Sequence, residues 1–151
     1  MTDTQEIVAE SFGSQGLMKT LGAELTGIDR GEVRIALFPR AELTQQDGYV
    51  HAGALTAVMD TACGFAAMTV APPGSNVLSV EFKVNFIRPA VADRFVATGK
   101  VIKAGKTLTV CQAEMVGERG SERTTIAIMQ ATIFIIPGAG KSSGRPGRPS
   151  E

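Results

Sequence analysis

Between residues 78 and 86, apolar and polar side chains alternate: Leu78, Val80, Phe82, Val84 and Phe86 against Ser79, Glu81, Lys83 and Asn85. A period of two places the two sets on opposite faces of a β-strand. Arg88-Pro89 closes the run. A second run, over residues 32–38, alternates Val33, Ile35 and Leu37 with Arg34 and Ala36 and ends at Pro39. Asp29-Arg30-Gly31 joins it to a β-prone run over residues 21–28, which predicts a hairpin. Residues 94–102 form a further run, and Ala104-Gly105-Lys106 predicts a turn into residues 107–116. Residues 117–121 turn again into 124–136, a stretch apolar on both faces, as expected of a strand covered on both sides.

The remaining pattern is helical or irregular. Residues 4–12 predict a short helix with Thr4 as N-cap, broken by Gly13 and Gly16, and residues 40–50 read as a loop. Residues 52–70 predict one long apolar helix, stopped by Pro72-Pro73-Gly74-Ser75. The stretch from Ala52 to Ala71 has the length of a membrane span. It is built from Ala, Gly and Thr and carries Asp60, which costs roughly 2.5–3.5 kcal/mol at a span's centre. A helix in a soluble core is the better fit. The order is hairpin, helix, then four strands, an α+β arrangement with an antiparallel sheet of five to six strands against the helix. A helix this apolar wants cover on nearly every side, and a second subunit is the simplest supplier beyond the sheet. Residues 138–151 hold Gly, Ser, Pro and basic residues without a large apolar side chain, and are expected to be disordered. The chain thus divides into an N-terminal arm or short helix (1–16), one domain (17–137) and a tail (138–151).

Composition narrows the classes. The length of 151 residues suits one domain with a real core. Lys+Arg and Asp+Glu are both 15, so the basic excess of a nucleic-acid binder is missing and association is not opposed by net charge. Two cysteines, Cys63 and Cys111, in unlike surroundings are no disulfide framework, and with one histidine, His51, no metal-ligand cluster is visible. The polar, acidic N-terminus lacks a signal pattern, so the expectation is a cytoplasmic protein with no cofactor.

Asp60 is the candidate for chemistry. Its helical neighbours Thr56, Ala57, Cys63 and Gly64 include no base, so no in-helix ion pair exists. A buried, unpartnered carboxylate is costly; such a group meets a partner from elsewhere or faces a water-filled site as base or nucleophile. A solvent-facing or loop-capping aspartate is the structural alternative. Before the helix stands Asp47-Gly48-Tyr49-Val50-His51-Ala52-Gly53. Free N–H groups at a helix N-terminus polarise a bound carbonyl, and small residues let a ligand approach, although they also simply permit tight packing. Asp60 lies about 12 Å along the helix from Ala52, too far to share one carbonyl within a chain. A site built across a two-fold axis removes that difficulty.

The stretch from Gly48 to Asp60, GYVHAGALTAVMD, resembles the hotdog-fold thioesterases of the phenylacetate-pathway (PaaI-like) type, whose pattern is G-x-x-H-G-G followed by a helical aspartate at this spacing. SVEFKVNFIRPA (79–90) is similar to that family's long strand, and IKAGKTLTV (102–110) to its next hairpin. The resemblance covers roughly residues 17–136. It implies hydrolysis of acyl-CoA with Asp60 as base or nucleophile, the Ala52 N–H as oxyanion donor, and Gln45 positioning water or substrate. Ser79 would reach the site from the opposite subunit, His51 would serve loop geometry and hydrogen bonding, and Gly53 completes the motif as a small residue that lets a ligand approach the backbone. It also implies a dimer, or a dimer of dimers, with coenzyme A entering as part of the substrate. Arg88, Lys103 and Lys106 are candidates for its phosphates, with solvated turn charges as the alternative. Tyr49, Met59, Cys63 and Phe82 are candidates to line the acyl pocket, with core packing as the default reading for each.

His-Ala-Gly here departs from His-Gly-Gly. The donor survives an alanine only where the backbone needs no positive φ. The departure keeps open a non-catalytic domain of this fold that binds acyl-CoA or a similar apolar ligand. A dehydratase of the same fold fits less well, since it pairs a histidine with an acid. A Cys63 nucleophile served by His51 is the weakest reading, because roughly 18 Å of helix separates the two.

Overall fold

The computed structural model describes residues 1–138; the expected disordered tail therefore falls almost wholly outside the described residues. Two helices lead the chain, α1 (Asp3–Ser14) and α2 (Gly16–Leu21). The hairpin β1 (Glu24–Asp29) and β2 (Glu32–Leu37) follows, then a 3-10 turn at Ala41–Leu43 and the long helix α3 (Ala52–Met68). The chain ends in β3 (Asn76–Phe86), β4 (Arg94–Ala104), β5 (Leu108–Arg119) and β6 (Glu122–Ile136). The six strands form one sheet in the order β1-β2-β4-β5-β6-β3, antiparallel throughout, with α3 packed on one face: the expected hotdog architecture.

Alternation decides which side chains meet the helix. Val33, Ile35 and Leu37 of β2, Phe95 and Ala97 of β4, Cys111, Ala113 and Met115 of β5, and Met129, Ala131, Ile133 and Ile135 of β6 form the core with Leu55, Val58, Met59, Ala62, Cys63 and Ala66 of α3. Gly99 sits where helix and sheet come closest. A Cβ there would lie 2.6 Å from both the Ala62 carbonyl oxygen and the Cys63 nitrogen. The C-terminal end of α3 is pinned by Thr69, whose Oγ1 donates to Ala66 O and accepts from Gly31 N, both at 2.7 Å.

Several expectations change. The N-cap of the first helix is Thr2, not Thr4: Thr2 Oγ1 accepts from Gln5 N while Gln5 Oε1 accepts from Thr2 N, a capping box. Gly13 stays inside α1, and the break falls at Gln15. Residues 21–23 are not strand; Leu21 ends α2 and Gly22, at φ 67°, caps it. The last strand is not covered on both sides within the chain: Met129, Ala131, Ile133 and Ile135 are buried, whereas Ile128 is 48% exposed on the outer face. Nor does α3 depend on a second subunit alone for its outer cover. Val8 of α1 is fully buried, Gln5 Nε2 donates to Ile28 O at 2.8 Å, and Phe12 meets Phe65 edge to face with ring centres 6.3 Å apart. This leaves a half-buried stripe of Thr56, Ala57, Asp60, Thr61 and Gly64 along α3.

Candidate active site

Asp60 stands midway along α3 on that stripe, half-buried rather than enclosed. Its partner comes from the neighbouring edge strand: Ser79 Oγ donates to Asp60 Oδ1 at 2.5 Å. The serine expected from an opposite subunit is thus held against Asp60 by its own chain, because β3 lies alongside α3. The second carboxylate oxygen makes no hydrogen bond to a side chain among the described residues. Asp60 borders a cavity of about 280 Å³ lined also by Gln15, Thr61, Gly64, Phe65, Val77, Leu78 and Ser79. A charge-assisted bond of this kind fixes one oxygen and leaves the other for a substrate or water.

The helix N-terminus is built as follows. His51 is the N-cap of α3, and its Nδ1 accepts from Gly53 N at 2.8 Å. That bond holds the imidazole against the first turn of α3. His51 N donates to Leu43 O and Val50 N to Ala90 O, which seat the loop on the rest of the fold. With the Gly53 N–H occupied by the cap and the Ala54 and Leu55 N–H groups directed at His51 O, the Ala52 N–H is left without an acceptor among the described residues. Among the described residues none other than glycine has positive φ, so the alanine at 52 sits in relaxed backbone and keeps its donor. Gly53 has a different constraint: a Cβ there would stand 3.0 Å from His51 Nδ1 and 3.3 Å from Cε1. Ordinarily Gly→Ala in a helix stabilises by about 1 kcal/mol. Gly53→Ala is expected to do the reverse, dislodging the imidazole and lowering the thermal midpoint by roughly 3 °C through loss of the cap. A raised midpoint in a melting experiment would show that the cap contributes nothing.

The other sequence candidates scatter. Gln45 is engaged locally: its Oε1 accepts from Asp47 N, and its own N–H donates to Tyr49 O at 2.8 Å, closing the loop. Met59 and Cys63 are fully buried in the core, so their place is packing; Tyr49 and Phe82 are exposed at 41% and 45% and line no cavity with Asp60. The adjoining Cys111 side chain and then burial raise the Cys63 thiol, and with no exposed surface Cys63 is out of a substrate's reach. Arg88 donates to Thr125 O at 2.8 Å, at the sheet end that holds the N-terminus of α3. Lys103 and Lys106 lie at the opposite end, roughly 20 Å away along the strands, so the three cations form no common phosphate site within one chain. The residues that line the Asp60 cavity with it, Gln15, Thr61, Phe65 and Val77, carried no motif. Of the remaining lining residues, Gly64 was marked by its helical spacing from Asp60 and Ser79 by the family resemblance.

A larger depression of about 660 Å³ lies on the sheet face away from α3, among Lys83, Lys100, Gln112, Glu114, Arg123 and Gln130. Two of its three lining cations, Lys100 and Arg123, are paired with Glu32 (3.0 Å) and Glu118 (2.9 Å), and its Glu114 accepts from Thr125 Oγ1. No group of three or more His, Cys, Asp or Glu side chains suited to a metal occurs among the described residues. No described helix is long and apolar enough to cross a membrane.

A serine-held carboxylate thus stands beside a cavity on the central helix of the hotdog sheet. The family model described as the thioesterase superfamily matches residues 47–124, from the loop before α3 into β6. The chain belongs to the thioesterase superfamily. A thioesterase family protein from Silicibacter pomeroyi is similar over 89% of this chain and 99% of its own, with 41% identity and a TM-score of 0.87. The E. coli PaaI protein from the phenylacetic acid degradation operon shares the fold over 89% of this chain and 94% of its own, at 22% identity and a TM-score of 0.80. The 1,4-dihydroxy-2-naphthoyl-CoA hydrolase of Listeria monocytogenes is 26% identical over 75% of this chain and 95% of its own.

Proposed function

We propose that this protein hydrolyses acyl-CoA thioesters, with Asp60 as the base. The observation that carries the reading is the Ser79–Asp60 hydrogen bond at the cavity beside α3. Asp60 takes a proton from water as the water oxygen bonds to the thioester carbonyl carbon. The carbonyl oxygen becomes an oxyanion, met by the Ala52 N–H and the positive end of the α3 dipole. Collapse of the tetrahedral intermediate breaks the C–S bond. The thiolate leaves and takes the proton from Asp60, giving a carboxylic acid and free coenzyme A.

Asp60 and Ala52 of one chain are too far apart to act on one carbonyl. The edge strand β3 offers the means of joining two chains. Among the described residues it pairs with β6 alone, and Leu78, Val80 and Phe82 stand 60%, 60% and 45% exposed along it. A long apolar edge of this kind is a template for another strand. Two β3 strands pairing antiparallel continue the sheet across a two-fold axis and bring Asp60 of one chain toward Ala52 of the other. Val80→Lys is therefore expected to turn a dimer into monomers in sedimentation equilibrium and to lower activity with it. A variant that stays dimeric removes β3 from the interface.

A panel of acyl-CoAs with a colorimetric thiol readout tests the reaction itself. Turnover that is lost in Asp60→Asn supports the reading. Tight acyl-CoA binding without turnover anywhere in the panel would instead favour a binding domain.

A further inference from the structure

The cavity beside Asp60 has two polar walls, and only one belongs to the hydrolytic machinery. On the β3 side Ser79 holds the carboxylate. On the other side Gln15, at the junction of α1 and α2, reaches across to α3, where its Oε1 accepts from Thr61 Oγ1 at 3.4 Å. Its carboxamide nitrogen makes no side-chain or backbone hydrogen bond among the described residues, and Gln15 lines the same cavity as Asp60. A carboxamide that has given its oxygen to a threonine keeps two N–H donors to offer. Between the polar walls, Phe65, Val77 and Leu78 supply apolar surface.

Gly64 lies one helical turn beyond Asp60. Its φ is not positive, and a Cβ placed on it would touch only Val77 Cγ2, at 4.0 Å. Neither backbone conformation nor a close neighbour calls for glycine here, and glycine weakens a helix relative to alanine. What the missing side chain provides is room: any larger residue at 64 would occupy the cavity. At about 280 Å³ the space falls just below the usual range for small-molecule pockets, enough for a short acyl group and too little for a long fatty chain.

We propose that Gln15 and Gly64 select the acyl group: the cavity beside Asp60 takes a short acyl chain carrying an oxygen at its far end, received by the Gln15 carboxamide in the space that Gly64 leaves open. The proposal rests on the hydrolase reading of Asp60 and adds the substrate's distal chemistry to it. The donor discriminates because an acyl group without the oxygen strips water from the carboxamide and returns no hydrogen bond.

The test compares hexanoyl-CoA with 6-hydroxyhexanoyl-CoA, and butanoyl-CoA with 4-hydroxybutanoyl-CoA, on the full-length wild type, Gln15→Met and Gly64→Val. In the wild type, kcat/KM for the better-fitting hydroxylated member of a pair is expected to exceed that of its unsubstituted partner by about tenfold. Gln15→Met, isosteric and without donors, brings that ratio close to one. Gly64→Val shifts the preference from the six-carbon to the four-carbon pair. An unchanged hydroxyl ratio in Gln15→Met overturns the role of Gln15, and an unchanged chain-length preference in Gly64→Val overturns that of Gly64. Calorimetric Kd values for the same compounds separate the proposal from the reading beneath it. If wild type turns over none of them, yet binds the hydroxylated member more tightly and loses that preference in Gln15→Met, the selector stands and the hydrolase reading falls. Equal Kd ratios in both proteins remove the selector.

Discussion

Asp60→Asn is expected to lower thioester hydrolysis by about 10²–10⁴-fold while leaving the fold intact. The asparagine has the shape of the aspartate, and its carbonyl oxygen still accepts from Ser79 Oγ, so the one hydrogen bond that positions residue 60 survives the change. What disappears is the capacity to take a proton from water. Asp60→Ala removes the hydrogen bond as well, and its residual rate is expected to match that of the asparagine variant, since the orienting bond has no purpose without the base. Ser79→Ala keeps the base and frees its orientation, and a loss of about tenfold is expected. Steady-state rates with the best acyl-CoA of the panel, alongside circular dichroism of each variant, supply the check. Full activity in both Asp60 variants would show that the proton goes elsewhere.

Gly99→Ala carries the largest expected effect on stability. The Cβ would press on the Ala62 carbonyl and the Cys63 nitrogen, both backbone atoms of α3 that cannot rotate aside. Relief requires lifting the helix off β4, which opens the tightest part of the core around Phe95, Ala97 and Cys111. A cost of about 3 kcal/mol follows, at the upper end of overpacking effects. For a chain of 151 residues this is a thermal midpoint lower by roughly 10 °C. Gly13→Ala is the matching control. Gly13 lies within α1 with nothing within 4 Å of an added Cβ, so alanine there is expected to be neutral or mildly stabilising. If the two variants melt alike, the close approach of α3 to β4 is not what makes residue 99 a glycine. Because α3 carries Asp60 and begins at Ala52, displacing it also disturbs the site, and Gly99→Ala should lose activity below its melting range.

The sequence alone determined the elements whose signal is local. Period-two alternation marks β2 and β3, the apolar run from Ala52 marks α3, and Asp29-Arg30-Gly31 marks the first hairpin, because side-chain periodicity and turn chemistry are set within a few residues. Asp60 was legible for the same reason: a carboxylate without a basic neighbour on an apolar helix is conspicuous, and its spacing from His51 carried the family likeness. Tertiary structure decided the rest. That β3 crosses to the far edge beside β6, leaving an open apolar edge, depends on pairings between strands more than forty residues apart. The partner of Asp60 is Ser79 of the same chain, and the wall of its cavity is Gln15, from a junction whose sequence bears no motif; both follow only from how β3 and α1–α2 flank α3. Met59 and Cys63 share the helix with Asp60 and were candidates to line an acyl pocket beside it, but the rotation of α3 against the sheet turns them into the core and leaves Asp60, Thr61 and Gly64 at the open face. Periodicity tells which residues lie together on a helix, and only packing tells which of those faces meets the sheet.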